Sequence, residues 1–117
     1  MDFVLALDAP SSARYEDLQD WLAGEPDLRP LVKRETLPPR QGELGGVVGA
    51  LTVAVGSGGA LTVLAGALGA WLAQERNRRA RIKIELRRGR LRSIELDAEN
   101  TSAADIERML RALRDEA

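Results

Sequence analysis

The 117 residues carry 17 basic and 18 acidic side chains and neither cysteine nor histidine, and this length supports one domain around one modest core. Disulfides, thiol nucleophiles, imidazole general bases and most zinc or haem sites are thereby excluded. The near-neutral total hides a polarity, because residues 1–43 hold five basic and nine acidic groups, 74–92 nine and two, and 93–117 three and seven, so the positive charge is one local block.

The chain opens without a cationic leader region, so synthesis in the cytoplasm without a cleaved signal is expected. Phe3-Val4-Leu5-Ala6-Leu7 is a short apolar run of the kind a central strand shows when both its faces are covered. Turn and N-cap residues follow, and then Tyr15, Leu18, Trp21 and Leu22 recur at helical spacing until Gly24 and Pro26 stop the helix. Residues 28–37 read as a second strand, which Pro30 assigns to an edge or a strand start. Beyond residue 73, Ile82, Ile84 and Leu86 alternate with Lys83, Glu85 and Arg87, the period of a half-buried strand. A turn around Gly89 would pair it with residues 91–96 so that Ile84 faces Ile94 and Ile82 faces Leu96. Ser102, with Asp105 at capping-box spacing, opens a helix whose apolar face is Ile106, Met109, Leu110 and Leu113. The expected fold is a small α+β domain with a four-stranded sheet and two helices in the order β-α-β-insertion-β-β-α, helices on one face, and 1–43 and 74–117 together forming that domain.

The insertion is the strongest signal. Residues 44–73 are thirty in a row without a charge, long enough for a transmembrane helix. A single crossing would separate halves too small to fold alone. A reversal at Gly56-Ser57-Gly58-Gly59 keeps both ends on one side and makes an apolar Gly-rich hairpin, read as helical, although Val and Thr leave the first arm open to a strand. As helices its arms reach only about 18–21 Å, against about 30 Å of hydrocarbon.

The expected membrane or oligomer contacts are Leu44, Val47, Val48, Leu51, Val53 and Val55 in the first arm and Leu61, Val63, Leu64, Leu68, Trp71 and Leu72 in the second. Gly45, Gly49, Gly66, Gly69 and Ala70 would let helices approach closely. Gly-Ala-Leu-Thr-Val occurs at 49–53 and again at 59–63. Arg76, Arg78, Arg79 and Arg81 follow at once, a cluster suited to anionic headgroups. Nucleic acid is a poor fit, because one Phe, one Tyr and two Trp provide no stacking platform.

No catalytic constellation is recognisable. Gly56-Ser57-Gly58-Gly59 lacks the lysine of a phosphate loop. Glu16, Asp17, Asp20, Glu107, Asp115 and Glu116 fall on polar helix faces, and Glu95, Asp97 and Glu99 on one strand end do not make a converging metal site. No catalytic residue, metal or cofactor is expected.

The strand Phe-Val-Leu-Ala-Leu, the helix ending at Trp21-Leu22, the Gly-rich apolar stretch and the Arg-rich exit follow one another in a set order. Ile82-Lys83-Ile84-Glu85-Leu86 and the amphipathic helix at 106–113 complete the series. In length and order the chain resembles the effector-associated constant component family of small proteins from bacterial conflict systems, mainly of actinobacteria. The resemblance implies a shared non-enzymatic component of cassettes that contain caspase-like or trypsin-like peptidases. Two functions are then expected. One is a homo-oligomeric component that engages inner-membrane lipid at the cytoplasmic face and forms a pore on activation. The alternative is a soluble homo-oligomeric scaffold or adaptor for a peptidase effector, with the hairpin buried between subunits.

Overall fold

The computed structural model describes residues 2–7, 12–37, 48–56, 58–77, 79–86, 93–99 and 102–115. They form, in chain order, β1 (Asp2–Leu7), α1 (Ser12–Ala23), β2 (Val32–Leu37), β3 (Val48–Ala54), α2 (Gly58–Ala73), β4 (Ile82–Leu86), β5 (Ser93–Leu96) and α3 (Ala103–Asp115), with short 3₁₀ turns at Arg29–Leu31 and Glu75–Asn77.

The five strands lie in the order β2-β3-β1-β4-β5, and every neighbouring pair is antiparallel. Because β1 and β2 both run against β3, they are parallel to each other, and the β1-α1-β2 crossover leaves a gap that β3 fills. The β3-α2-β4 crossover leaves a second gap, filled by β1. These are two interleaved split βαβ units, the ferredoxin-like connectivity, extended at the β4 edge by β5 and α3.

The α+β class agrees with expectation, but the expected four strands and two helices become five and three. The apolar segment is the reason. Its first arm is a strand and not the first limb of a helical hairpin, because β1 and β2 each present an unpaired backbone edge to it, and its Val and Thr residues suit a pleated surface. Its second arm is the helix α2. The hairpin register is as the alternation requires, with Ile84 opposite Ile94 and Ile82 opposite Leu96. The turn at Gly89 lies outside the described residues. β2 is an edge strand, and Pro30 stands in the 3₁₀ turn just before it.

The three helices cover one sheet face. Register aligns Val32, Val53, Phe3 and Leu86 in one row and Leu51, Leu5, Ile84 and Ile94 in the next. Those rows pack against Leu18 and Leu22 of α1, Leu61, Leu64 and Leu68 of α2, and Ile106 and Leu110 of α3 in one cluster. β1 is central but, contrary to expectation, buries only Phe3, Leu5 and Leu7, while Val4 and Ala6 on the other face stay half-buried. The phenol of Tyr15 fixes α1 to β1: its oxygen accepts the Leu7 N–H at 2.8 Å and donates to the Leu7 carbonyl at 3.3 Å.

α3 starts as its sequence indicates, with the Ser102 hydroxyl accepting the Asp105 N–H at 3.1 Å. Ser102→Ala should lower stability by about 1 kcal/mol, read from the urea midpoint at unchanged slope. An unchanged midpoint would mean that the cap contributes nothing.

Candidate interaction surface

Most of the residues expected to meet lipid or another subunit lie inside this fold. Leu51, Val53, Leu61, Leu64, Leu68, Trp71 and Leu72 are buried, as is Val55 just beyond β3, and Val63 is half-buried. Val48 and Gly49 pair with Leu37 and Thr36 in the sheet, and Leu44, Gly45 and Val47 lie outside the described residues. Gly69 lies against α3, where a Cβ would stand at an ordinary contact distance of 3.5 Å from the Ala103 amide nitrogen and from the Ile106 side chain.

Gly66 lies beside open space. A Cβ built on it meets nothing within 4 Å, yet a glycine inside a helix is less favourable than alanine by about 1 kcal/mol.

At the C-terminal end of α2 the chain builds a polar junction from two distant segments. The Trp71 indole N–H donates to Asp17 Oδ2 at 3.0 Å, and Arg76 pairs with the same carboxylate at 3.2 Å. Asn77, fully buried, donates from Nδ2 to the Trp71 carbonyl at 2.8 Å and accepts from Arg14 at 2.8 Å. Arg14 also reaches the Arg76 carbonyl at 2.9 Å. The Asn77 amide thus satisfies a carbonyl in the last turn of α2, and the Arg14 guanidinium one in the 3₁₀ turn that follows. Arg14, Asp17 and Asn77 were not legible as a group, because α1 and the 3₁₀ turn after α2 are about sixty residues apart. The one signal was Trp71 itself, since a buried indole N–H needs an acceptor.

The expected headgroup residues divide. Arg76 is committed to Asp17, and Arg78 lies outside the described residues. Arg79 and Arg81 are exposed and rim a cleft of about 230 Å³ that also contains Asp97 and Glu99. A second cleft, of about 280 Å³, is lined by Ala6, Leu7, Arg81, Lys83 and Glu95. Both mix charges of opposite sign, so neither is a purely cationic surface. Asp97 caps its own turn by accepting the Glu99 N–H at 3.0 Å. Among the described residues no three acidic side chains converge on a point that could hold a metal.

The outward side of α2 carries Gly59, Thr62, Ala70 and Ala73, all exposed, with Val63 and Gly66 half-buried. Beside it stands Trp21 of α1, 38% exposed and the one large exposed hydrophobic side chain among the described residues. Its indole is held by a bond from Nε1 to the Ala67 carbonyl at 2.9 Å. A groove of about 640 Å³ opens at the other end of α2, lined by Asp27, Leu31, Gly56, Gly59, Ala60 and Val63. These parts can bind an apolar surface and offer nothing recognisable to a reaction. Among the described residues no helix is long and apolar enough to cross a membrane.

The family model of Effector Associated Constant Component 1 matches residues 8–115. The chain belongs to that family. No curated protein and no solved structure matches it. Membership in Effector Associated Constant Component 1 identifies the chain as a component associated with effectors, in agreement with the order of motifs along the sequence. The match runs from just after β1 to the end of α3, and so includes the Trp21, α2 and Asn77 elements described above.

Proposed function

We propose that this chain is a non-enzymatic adaptor of a bacterial conflict system, a homo-oligomeric scaffold that holds a peptidase effector of the same cassette. The observation that carries the reading is the fate of the apolar segment. Most of its described large side chains complete the chain's own core, and what the described residues leave outside is an uncharged surface without catalytic groups. Family membership supplies the association with effectors.

The membrane-entering reading demands more of the same residues. Residues 48–73 would have to leave the core, exposing eight large buried side chains from Leu51 to Leu72 at about 1.5–3 kcal/mol each. That sum, about 12–24 kcal/mol, matches or exceeds the whole stability of a typical domain, about 5–15 kcal/mol. A trigger and a bilayer would both be needed, with Arg79 and Arg81 the exposed cations available to headgroups. α2, 16 residues long, would still reach only about 24 Å.

Carbonate extraction of cell membranes, followed by affinity purification with the cassette peptidase, tests the adaptor reading. The expected result is release by carbonate and retention of the peptidase through washing. Carbonate-resistant pelleting that only detergent reverses, together with leakage from anionic liposomes, would overturn it in favour of insertion.

A further inference from the structure

We infer that the outer edge of β2 pairs antiparallel with the β2 of a second copy, about a two-fold axis that is perpendicular to the sheet and passes between the two Arg34 residues. This rests on the scaffold reading and names its interface, which leaves the uncharged side of α2 to the effector.

β2 is an edge of the sheet, and two hydrogen bonds fix which of its backbone groups face outward. The Lys33 carbonyl accepts the Thr52 hydroxyl of β3 at 3.2 Å, so it points into the sheet. The Val32 N–H donates to the Leu28 carbonyl at 3.2 Å, and so points away from β3. In an antiparallel ladder the N–H and C=O of one residue point to the same side, and successive residues alternate. Lys33, Glu35 and Leu37 therefore bond β3, whereas Arg34 and Thr36 turn N–H and C=O outward, together with the Val32 carbonyl. Among the described residues no strand lies beyond them.

An open edge is a template for a further strand, and the sequence of this one is self-complementary. A second copy centred on Arg34 bonds the N–H and C=O of Arg34 to those of the partner's Arg34, and each Thr36 N–H to the partner's Val32 carbonyl. Register then sets Lys33 opposite the partner's Glu35, and Glu35 opposite the partner's Lys33, on the sheet face away from the helices. These are non-hydrogen-bonded positions, where facing residues come closest, at about 4.5 Å between Cα atoms, and where opposite charges stabilise a pair. Moving the centre by one residue, to Lys33 or to Glu35, sets like charges directly opposite each other, so the charges select one register. Arg34 meets its own copy at the axis, but its charge is already answered within each chain. Its guanidinium lies 3.5 Å from the Glu16 carboxylate and 6.0 Å from the centre of the Tyr15 ring, both on α1. The two-fold operation itself supplies Lys and Glu at the matching spacing. A single strand pair is a small contact, so the dimer belongs to the weak, reversible class.

Sedimentation equilibrium of the full chain between about 1 and 500 μM tests the inference. The expected result is a concentration-dependent rise from 12.7 kDa to twice that mass. Lys33→Glu and Glu35→Lys should each weaken association about tenfold or more, and the double exchange should return it to within about threefold of wild type, because it restores both pairs of opposite charge. Arg34→Pro removes an outward N–H that an edge strand can spare, so it should abolish pairing while the far-UV circular dichroism of the dilute protein stays that of wild type. A wild-type chain that stays monomeric throughout overturns the interface. So does a dimer that the single charge reversals leave unchanged, or that the double exchange fails to restore. Peptidase retention measured on the same variants separates the two readings. A monomeric chain that loses the peptidase on Arg34→Pro would give the edge to a strand of the effector, whereas a chain that fails to pair through β2 yet retains the peptidase remains an adaptor.

Discussion

Trp71→Ala is expected to lower stability by about 3–5 kcal/mol, the range for deleting a buried aromatic. The side chain is completely buried in the core cluster, and its indole N–H donates to Asp17 of α1. Removing it opens a cavity and leaves Asp17 with Arg76 alone. Against a total of about 5–15 kcal/mol, the loss would leave a large unfolded fraction at physiological temperature. Trp71→Phe separates the two contributions, since it keeps most of the volume and discards the donor. Its expected cost is about 1–2 kcal/mol. Urea unfolding followed by far-UV circular dichroism gives both values. A Trp71→Ala midpoint close to wild type would contradict the placement of α2 in the core and return its apolar side chains to lipid or to another subunit.

The second large effect is expected at Asn77. Asn77→Ala withdraws a donor from the Trp71 carbonyl and an acceptor from Arg14. A loss of about 1–3 kcal/mol follows from two lost hydrogen bonds, although the Trp71 carbonyl keeps the Gln74 N–H at 3.3 Å and Arg14 keeps the Arg76 carbonyl. Asn77→Asp distinguishes the roles. A carboxylate still accepts from Arg14 but presents oxygen to the Trp71 carbonyl, so it should restore little. Adding Arg14→Ala to Asn77→Ala should cost less than the sum of the two single changes, because both sit in one network. Additive losses would show that Arg14 and Asn77 act separately. The exposed ion pairs, such as Arg108 with Asp105 and Arg111 with Glu107, should each contribute well under 1 kcal/mol.

What could be read from the sequence follows the range of the interaction concerned. Period-two alternation at 82–86 fixed both the strand and its partner register, because one slip would turn Ile82 and Ile84 to the other face. The cap at Ser102 was legible because its partner is three residues away. The pentapeptide Gly-Ala-Leu-Thr-Val marks the boundary of that method. At 49–53 it is strand, with Leu51 and Val53 facing the helices and Thr52 on the opposite face. At 59–63 it is helix, with Leu61 buried and Thr62 exposed. Identical local preference yields both outcomes, and the deciding factor is whether two strand edges lie within reach. The absence of charge over 44–73 points to cover by lipid or another subunit, whereas the fold itself covers most of the described large side chains. The cover within the chain was not visible, since β1 pairs with β3 about fifty residues away, and α1 and α3 each lie about thirty or more residues from α2. The same distance hid the Arg14, Asp17 and Asn77 junction, whereas Trp21 was visible as a helical residue but not as an exposed one.

The interleaving of the two crossovers matters before the protein is complete. β1 emerges first during synthesis, yet its two neighbours are β3 and β4, the second of which ends at Leu86. At about 5–20 residues per second, the nascent chain displays its uncharged stretch, unsheltered, for a second or more before β4 can close the sheet over β1. During that interval it presents the cell's targeting factors and chaperones with the long apolar stretch that those factors survey. Its route to a folded state is therefore decided in competition with them, and the glycines that interrupt the stretch also weaken it as an insertion signal.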